Sequence, residues 1–315
     1  MSEHQPKPHT FTNITVVPGF KEINDLEAAL RRAGIAAIIS AAEADDGTFR
    51  GRIVSDVYGE PLSWTNDGWQ PISQGEIAAT LGREFGDNVS INALSFDATG
   101  HPLDDSPLSA NTFPDYDAIA WLTTGDVDII TVGAASADQD LLVIPSTSDY
   151  YRSLVVAIDS PFGAANSSAW LMESSLMMWR HGKRRGFIIN TPEGVVGDEW
   201  DDSWLVVDPS SGDADVLAAI TSIRRSSPTA DYAQAFILDE AETAQLEALL
   251  AEPPADDTLR RLTEIVGEPS VIADVVEGRV DALDLSEASF VSPRQSFISQ
   301  LSSFAKRLGR DRRFE

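Results

Sequence analysis

The stretch AIAWLTTGDVDIITVGAASADQDLLVIPSTSDYYRSLVVAI, residues 118–158, decides the fold class. Four short apolar runs follow one another in it, at 118–122, 127–132, 141–144 and 154–158. Such runs, when turn residues separate them, are typical of β-strands. Because the gaps leave little room for crossover helices, we expect these strands to be antiparallel.

Helix signals lie on both sides of this stretch. Capping boxes, in which a cap residue is followed three positions later by Glu, are predicted at Asn24, Ser73 and Asp239. A further helix is expected from Asn166 through Trp179 to Gly182, and a strand is expected at 235–238. These patterns predict an α+β fold of mainly antiparallel sheets with flanking helices, and they can be written as two related β-α-β-β-α-β halves.

Composition shifts suggest how the chain is divided. The stretch 99–115 is rich in Pro, Asp and Ser, which is typical of a linker. The predicted parts are a flexible lead at 1–12, an α+β domain at 13–98, a linker at 99–115, a second α+β domain at 116–291, and a C-terminal amphipathic helix with a basic tail at 292–315.

The composition is that of a globular protein, with 43% hydrophobic residues in 315. The chain contains no cysteine, which excludes disulfides, thiolate metal sites and cysteine nucleophiles. We recognise no signal peptide and no apolar run of membrane-spanning length, so a cytoplasmic location and no membrane span are expected.

The formal net charge is −27 at pH 7. Such a charge repels nucleic acid, so direct nucleic-acid binding is disfavoured, whereas a basic protein partner would be attracted. The stretch from Glu84 to Tyr151 contains about a dozen Asp and Glu residues and no Lys or Arg. The C-terminal segment is basic instead, and its predicted helix is expected to dock either on the chain itself or on a partner.

Common catalytic motifs are absent from the sequence. We find no dinucleotide or P-loop glycine pattern, no G-x-S-x-G elbow, no H-E-x-x-H and no EF-hand loop, so no cofactor is predicted. A Ser-His-Asp relay would need His101 or His181. We interpret His181 as a histidine at a helix C-terminus, where the helix dipole favours its positive charge.

Two short segments are candidate interaction sites. The first interleaves carboxylates with indoles, which suits a contact with a cation or a basic peptide. It consists of Asp198, Glu199, Trp200, Asp201, Asp202 and Trp204. The second is a basic cluster that suits a phosphate or an acidic partner, and it consists of Arg180, Lys183, Arg184 and Arg185.

Three functions follow from these features. The favoured hypothesis is a non-catalytic protein-binding or regulatory protein, comparable in charge to inhibitor or immunity proteins, that acts on a basic partner. The first alternative is a metal-assisted hydrolase that uses Asp198, Asp201 and Asp202. The second alternative is a nucleic-acid mimic, in which the carboxylates between Glu84 and Tyr151 imitate a row of phosphates.

Overall fold

The structure is a computed structural model that describes residues 6–17, 21–41, 48–86, 89–92, 94–103, 116–125, 130, 140–158 and 174–291. It confirms the α+β fold, because helices pack against two large sheets whose strand pairs are antiparallel. The chain forms two compact units. Unit 1 comprises Met1–Asn111 and Ser203–Arg225, and unit 2 comprises Thr112–Asp202 and Ser226–Glu315.

The helices and strands follow one another along the chain in this order. They are β1 (Thr10–Val16), α1 (Ile23–Arg32), β2 (Ala37–Ala41), β3 (Phe49–Ser55), β4 (Leu62–Thr65), β5 (Gly68–Pro71), α2 (Gln74–Phe85), β6 (Val89–Ile91), β7 (Leu94–Phe96), β8 (Ala118–Thr123), β9 (Leu141–Pro145), β10 (Ser153–Ala157), β11 (Ser175–His181), β12 (Arg184–Thr191), β13 (Gly194–Trp200), β14 (Leu205–Val207), α3 (Ala214–Ser222), α4 (Thr229–Phe236), α5 (Glu240–Ala251), α6 (Thr258–Ile265), α7 (Val271–Val276), a 3₁₀ turn (Ala282–Asp284) and β15 (Ser289–Val291).

Unit 1 is a six-stranded sheet with both faces covered, in the strand order β14-β2-β3-β1-β6-β7. Alternating side chains of β2 divide between the two faces. Ala37 and Ile39 pack with α1 and α2, whereas Ile38 packs with α3 and the β4–β5 hairpin. Because β14 pairs with β2, the segment 203–225 completes this sheet although it follows Thr112–Asp202, the first part of unit 2, in the chain.

Unit 2 is a seven-stranded sheet in the order β13-β12-β11-β8-β10-β9-β15. One face packs against α4–α7 in a large apolar core that includes Leu176, Met178 and Phe187. A second apolar cluster lies on the opposite face and includes Trp121, Met177 and Trp179. The predicted antiparallel strands at 118–122, 141–144 and 154–158 are confirmed as β8, β9 and β10.

Two predicted elements are wrong. A helix was expected to run through Trp179, but Ser175–His181 form the strand β11 instead. His181 is therefore the last residue of a strand and does not end a helix. The strand expected at 235–238 overlaps the end of α4, which Ile237 caps in the left-handed conformation at φ 58. The proposed pair of β-α-β-β-α-β halves is therefore not confirmed, because the second half lacks that order over 174–238.

Helix starts were predicted with mixed success. Capping boxes at Ser73 with Glu76 and at Asp239 with Glu242 are confirmed by reciprocal hydrogen bonds. The box expected at Asn24 is displaced, because α1 begins at Ile23 with Glu22 as its cap. The run 127–132 (Ile130 apart), most of the predicted linker and the C-terminal amphipathic helix at 292–315 lie outside the described residues.

Candidate functional site

The basic and acidic candidate segments lie on neighbouring strands of unit 2. β11 pairs with β12, and β12 pairs with β13, so that Arg185 is opposite Trp200 and Phe187 is opposite Asp198. Gly182 and Lys183 form the turn between β11 and β12. With the exception of Trp204, the two segments that the sequence offered as separate sites therefore lie in one region of unit 2.

Arg184 pairs with two of the predicted carboxylates on one face. Its Nη2 donates to Glu199 Oε2 at 2.6 Å, and its Nε lies 3.2 Å from Asp201 Oδ2. Only 13% of the Arg184 side chain and 1% of the Asp201 side chain are exposed. Burial lowers the pKa of Arg184, but Glu199 and Asp201 outweigh this effect, and the pKa lies above its usual value. The positive charge of Arg184 is therefore shared between two carboxylates that interact within the protein.

Arg185 makes a second ion-pair network on the opposite face, towards the helices. Its guanidinium forms a bidentate pair with Glu277, both bonds at 3.1 Å, and also donates to Asp256 Oδ1 at 3.1 Å. The side chains of Arg185 and Glu277 are 7% and 3% exposed. This network connects Glu277, which directly follows α7, to β12. We therefore assign Arg185 a structural role.

Asp198 is also held internally. Its carboxylate accepts the backbone N–H of Glu199 at 2.9 Å, the N–H of Ser226 at 3.3 Å and the hydroxyl of Tyr232 at 3.1 Å. The Tyr232 hydroxyl also lies 3.0 Å from the carbonyl oxygen of Gly197. Burial raises the pKa of Tyr232, and Asp198 raises it further, so the hydroxyl keeps its proton.

The two tryptophans have different surroundings. Trp200 is buried in unit 2, where its Nε1 donates to the carbonyl of Leu249 at 3.0 Å and its ring contacts Phe187. Trp204 belongs to unit 1, where the guanidinium of Arg52 lies 5.6 Å from its ring centre. Trp204 therefore belongs to a different unit from the carboxylates before it.

The remaining predicted residues are more accessible. Lys183 and Asp202 are exposed, and Arg180 is half-buried. His181 lies 3.8 Å from Asp117, whose other oxygen accepts the N–H of Gly182. Within the described ranges, no group of three or more His, Cys, Asp or Glu side chains could hold a metal ion.

The acidic stretch between Glu84 and Tyr151 is only partly described. Glu84 pairs with Arg32, and Asp97 accepts hydrogen bonds from Thr99 and His101 within a turn. Most of the other carboxylates of this stretch lie outside the described residues. The nucleic-acid mimic therefore stays a prediction.

Sequence reasoning missed an acidic region in the helical part of unit 2. Residues 226–291 contain fifteen acidic and three basic residues, a formal balance of −12. Several of these carboxylates are exposed and form no ion pair in the described part of the chain. They include Asp231, Glu240, Asp284 and Glu287, and a count of charges by segment could have found them.

Comparisons with known proteins identify no family for this chain. No protein-family model, no curated protein and no solved structure matches this chain. None of the described helices is long and apolar enough to cross a bilayer.

Proposed function

We propose that this chain is a non-catalytic binding protein that holds a basic protein partner through exposed carboxylates of unit 2. The net charge of −27 is the sequence feature behind this proposal. Opposite charge draws partners together and selects among them. The cytoplasmic setting expected from the sequence belongs to the same proposal.

The observation that carries the proposal is the arrangement of charge in residues 226–291. Most carboxylates of the first candidate segment already interact within the protein, because Glu199 and Asp201 pair with Arg184 and Asp198 is buried. The four exposed carboxylates named above have no such partner. An exposed charge that no neighbour offsets is free to meet an opposite charge on another protein.

Co-purification tests the proposal. The full chain, expressed with an affinity tag in its native cells, is captured at low salt and at about 0.5 M salt, where surface charges are strongly screened. We expect one basic protein in a fixed ratio at low salt, identified by mass spectrometry, and its loss at high salt. The absence of such a protein, or its retention at high salt, would contradict the proposal.

A charge-matched pair of variants supplies the control. The test variant removes four unpaired carboxylates from the helical part of unit 2: Asp231→Asn, Glu240→Gln, Asp284→Asn and Glu287→Gln. The control variant removes four exposed carboxylates elsewhere: Glu60→Gln, Asp140→Asn, Glu193→Gln and Asp215→Asn. Both change the net charge equally, so only a localised surface predicts that the test variant alone loses the partner.

A further inference from the structure

Two arginines lie directly opposite each other on β11 and β12. They are Arg180 and Arg185, and their side chains share one face of the sheet. Like charges in such a pair destabilise a sheet unless other groups compensate them. Arg185 is compensated, because Glu277 and Asp256 both pair with its guanidinium. The charge of Arg180 is the one that the pair leaves to be explained.

The guanidinium of Arg180 has no anionic partner in the described part of the chain. No described carboxylate lies within ion-pair distance of it. Its Nε is buried and has no hydrogen-bond partner there. The two terminal nitrogens are not enclosed in this way, and the residue as a whole is half-buried. The inner end of the guanidinium is therefore held by the protein, while its outer end is open to an anion from solution.

Lys183 supplies a second cation on the same hairpin. It lies in the turn between β11 and β12, is exposed, and forms no ion pair among the described residues. The turn itself is fixed, because Arg185 Nη1 donates to the carbonyl of Lys183 at 2.5 Å and Asp117 Oδ2 accepts the N–H of Gly182 at 2.6 Å. In a chain with 50 acidic and 23 basic residues, a shortage of carboxylates does not explain two cations without a partner on one hairpin.

We propose that Arg180 and Lys183 bind a phosphate group, either inorganic phosphate or a small phosphate monoester. The outer nitrogens of the guanidinium fit two phosphate oxygens, and the ammonium adds a point charge. Because the protein already encloses Nε of Arg180, binding costs this side chain little conformational freedom. The inference goes beyond the proposed function, because it assigns an anion to a protein whose proposed partner is basic. It also divides the predicted basic cluster, since Arg184 and Arg185 pair with internal carboxylates and the other two cations bind the ligand.

A titration with inorganic phosphate tests the site. Phosphate replaces chloride in a solution of the full chain at constant pH and ionic strength, so that general screening does not change. The side-chain Nε–H signal of Arg180 and the backbone amide signals of Gly182 and Lys183 are followed by NMR. We expect saturable shifts of all three signals with one affinity. Shifts that never saturate would overturn the proposal.

Charge-matched variants connect the response to the two side chains. Arg180→Gln should weaken phosphate binding by about tenfold or more, because it removes the charged fork. Lys183→Gln changes an exposed turn residue without disturbing the core, and it should also weaken binding. Arg83→Gln is the control, because Arg83 is exposed on α2 and its loss changes the net charge equally. Equal affinities in wild type and Arg180→Gln, or equal losses in Arg180→Gln and Arg83→Gln, would contradict the proposal.

A phosphate monoester distinguishes the two sources of the ligand. N-acetyl-O-phosphoserine amide is titrated in the same way, with N-acetylserine amide as the uncharged control. Tighter binding of the ester than of inorganic phosphate would identify an esterified ligand, and the reverse order would identify free phosphate. In either case Arg180→Gln should lose the affinity. If neither phosphate probe binds the wild-type chain, or if the uncharged control binds as well as the ester, the phosphate site is wrong.

Discussion

Arg184 and Arg185 show at the residue scale how part of the negative charge is used inside the protein. Successive side chains of a strand point to opposite faces of the sheet. Arg184 therefore meets Glu199 and Asp201 on one face, while Arg185 meets Glu277 and Asp256 on the other. Carboxylates engaged in this way contribute to the net charge but not to the surface that a partner would meet.

The Tyr232 hydroxyl is expected to contribute measurably to stability. Tyr232→Phe removes the hydroxyl hydrogen bond to the buried carboxylate of Asp198 and leaves the N–H of Ser227 without its acceptor. A buried polar group left without its partner costs about 1–3 kcal/mol, so the free energy of unfolding should fall by that amount. Urea unfolding measures it. Tyr150→Phe, at an exposed tyrosine, should change stability by less than about 0.5 kcal/mol.

Glu268 should make stability depend on pH. Burial raises its pKa in the folded protein, so the folded state holds this proton at pH values where the unfolded chain has released it. The contribution of Glu268 is therefore fully present below the ordinary carboxyl range and is lost as pH rises through the raised pKa. Glu268→Gln should abolish this loss and be the more stable protein at neutral pH.

Urea midpoints at several pH values between about 4 and 8 compare wild type, Glu268→Gln and the control Glu264→Gln, at an exposed position on α6. An identical pH profile for wild type and Glu268→Gln would show that the carboxyl is already well compensated. A decrease in stability of Glu268→Gln at neutral pH would contradict the account more strongly, because it would mean that the ionised group stabilises the fold.

At the scale of elements, β11 shows what the sequence could not decide. Leu176 and Met178 face one apolar cluster, while Met177 and Trp179 face the other, so the strand is apolar throughout. A strand buried on both faces has no alternation, and a short apolar run cannot be told from a buried helix by periodicity. The capping boxes at Ser73 and Asp239 were predictable because their hydrogen bonds are local.

The candidate site was harder to predict than the helix caps. Arg185 pairs with Asp256 and Glu277, which are far from it in the sequence. No local sequence pattern could therefore predict these pairs. Residue types could be read from the sequence, but their partners depended on the strand register.

Gly186 on β12 should be sensitive to an increase in side-chain volume, because it packs against β11. An added Cβ at Gly186 would clash with the indole of Trp179. Gly186→Ala should therefore lower the free energy of unfolding by about 1–3 kcal/mol, the usual cost of overpacking. Adding Trp179→Val should recover part of this loss in a double-mutant cycle by urea unfolding. If the two changes were simply additive, this clash would not be the cause.

Arg52 is expected to hold the late segment of unit 1 in place. Its Nη1 donates to the carbonyls of Ile223 and Arg224 at 3.2 and 2.8 Å, just after α3, and its guanidinium lies over the rings of Phe11 and Trp204. Arg52→Met should lower the free energy of unfolding by about 1.5–3 kcal/mol, the usual contribution of hydrogen bonds to a charged group.

Hydrogen exchange shows which part of the protein loses stability in Arg52→Met. The amides of α3 should exchange faster in Arg52→Met than in wild type, whereas Arg31→Met, which removes an exposed pair with Glu27, should leave them unchanged. Equal protection of α3 in all three proteins would mean that apolar packing alone holds this segment.

At the scale of the whole molecule, the helical part of unit 2 is rich in carboxylates. Residues 226–291 of unit 2 carry a formal balance of −12, and several of their exposed carboxylates have no ion pair among the described residues. A charge that only kept the protein dissolved could lie anywhere on its surface. A charge that binds a partner has to be localised, and this difference can be measured.

The affinity for the co-purified basic partner is the most direct measurement. Calorimetry at low salt compares wild type with the two charge-matched variants, each of which lacks four exposed carboxylates. We predict that removing those of residues 226–291 weakens binding by about tenfold or more, while removing those elsewhere has little effect. Equal affinities for all three proteins would show that the acidic region of unit 2 is not the binding surface.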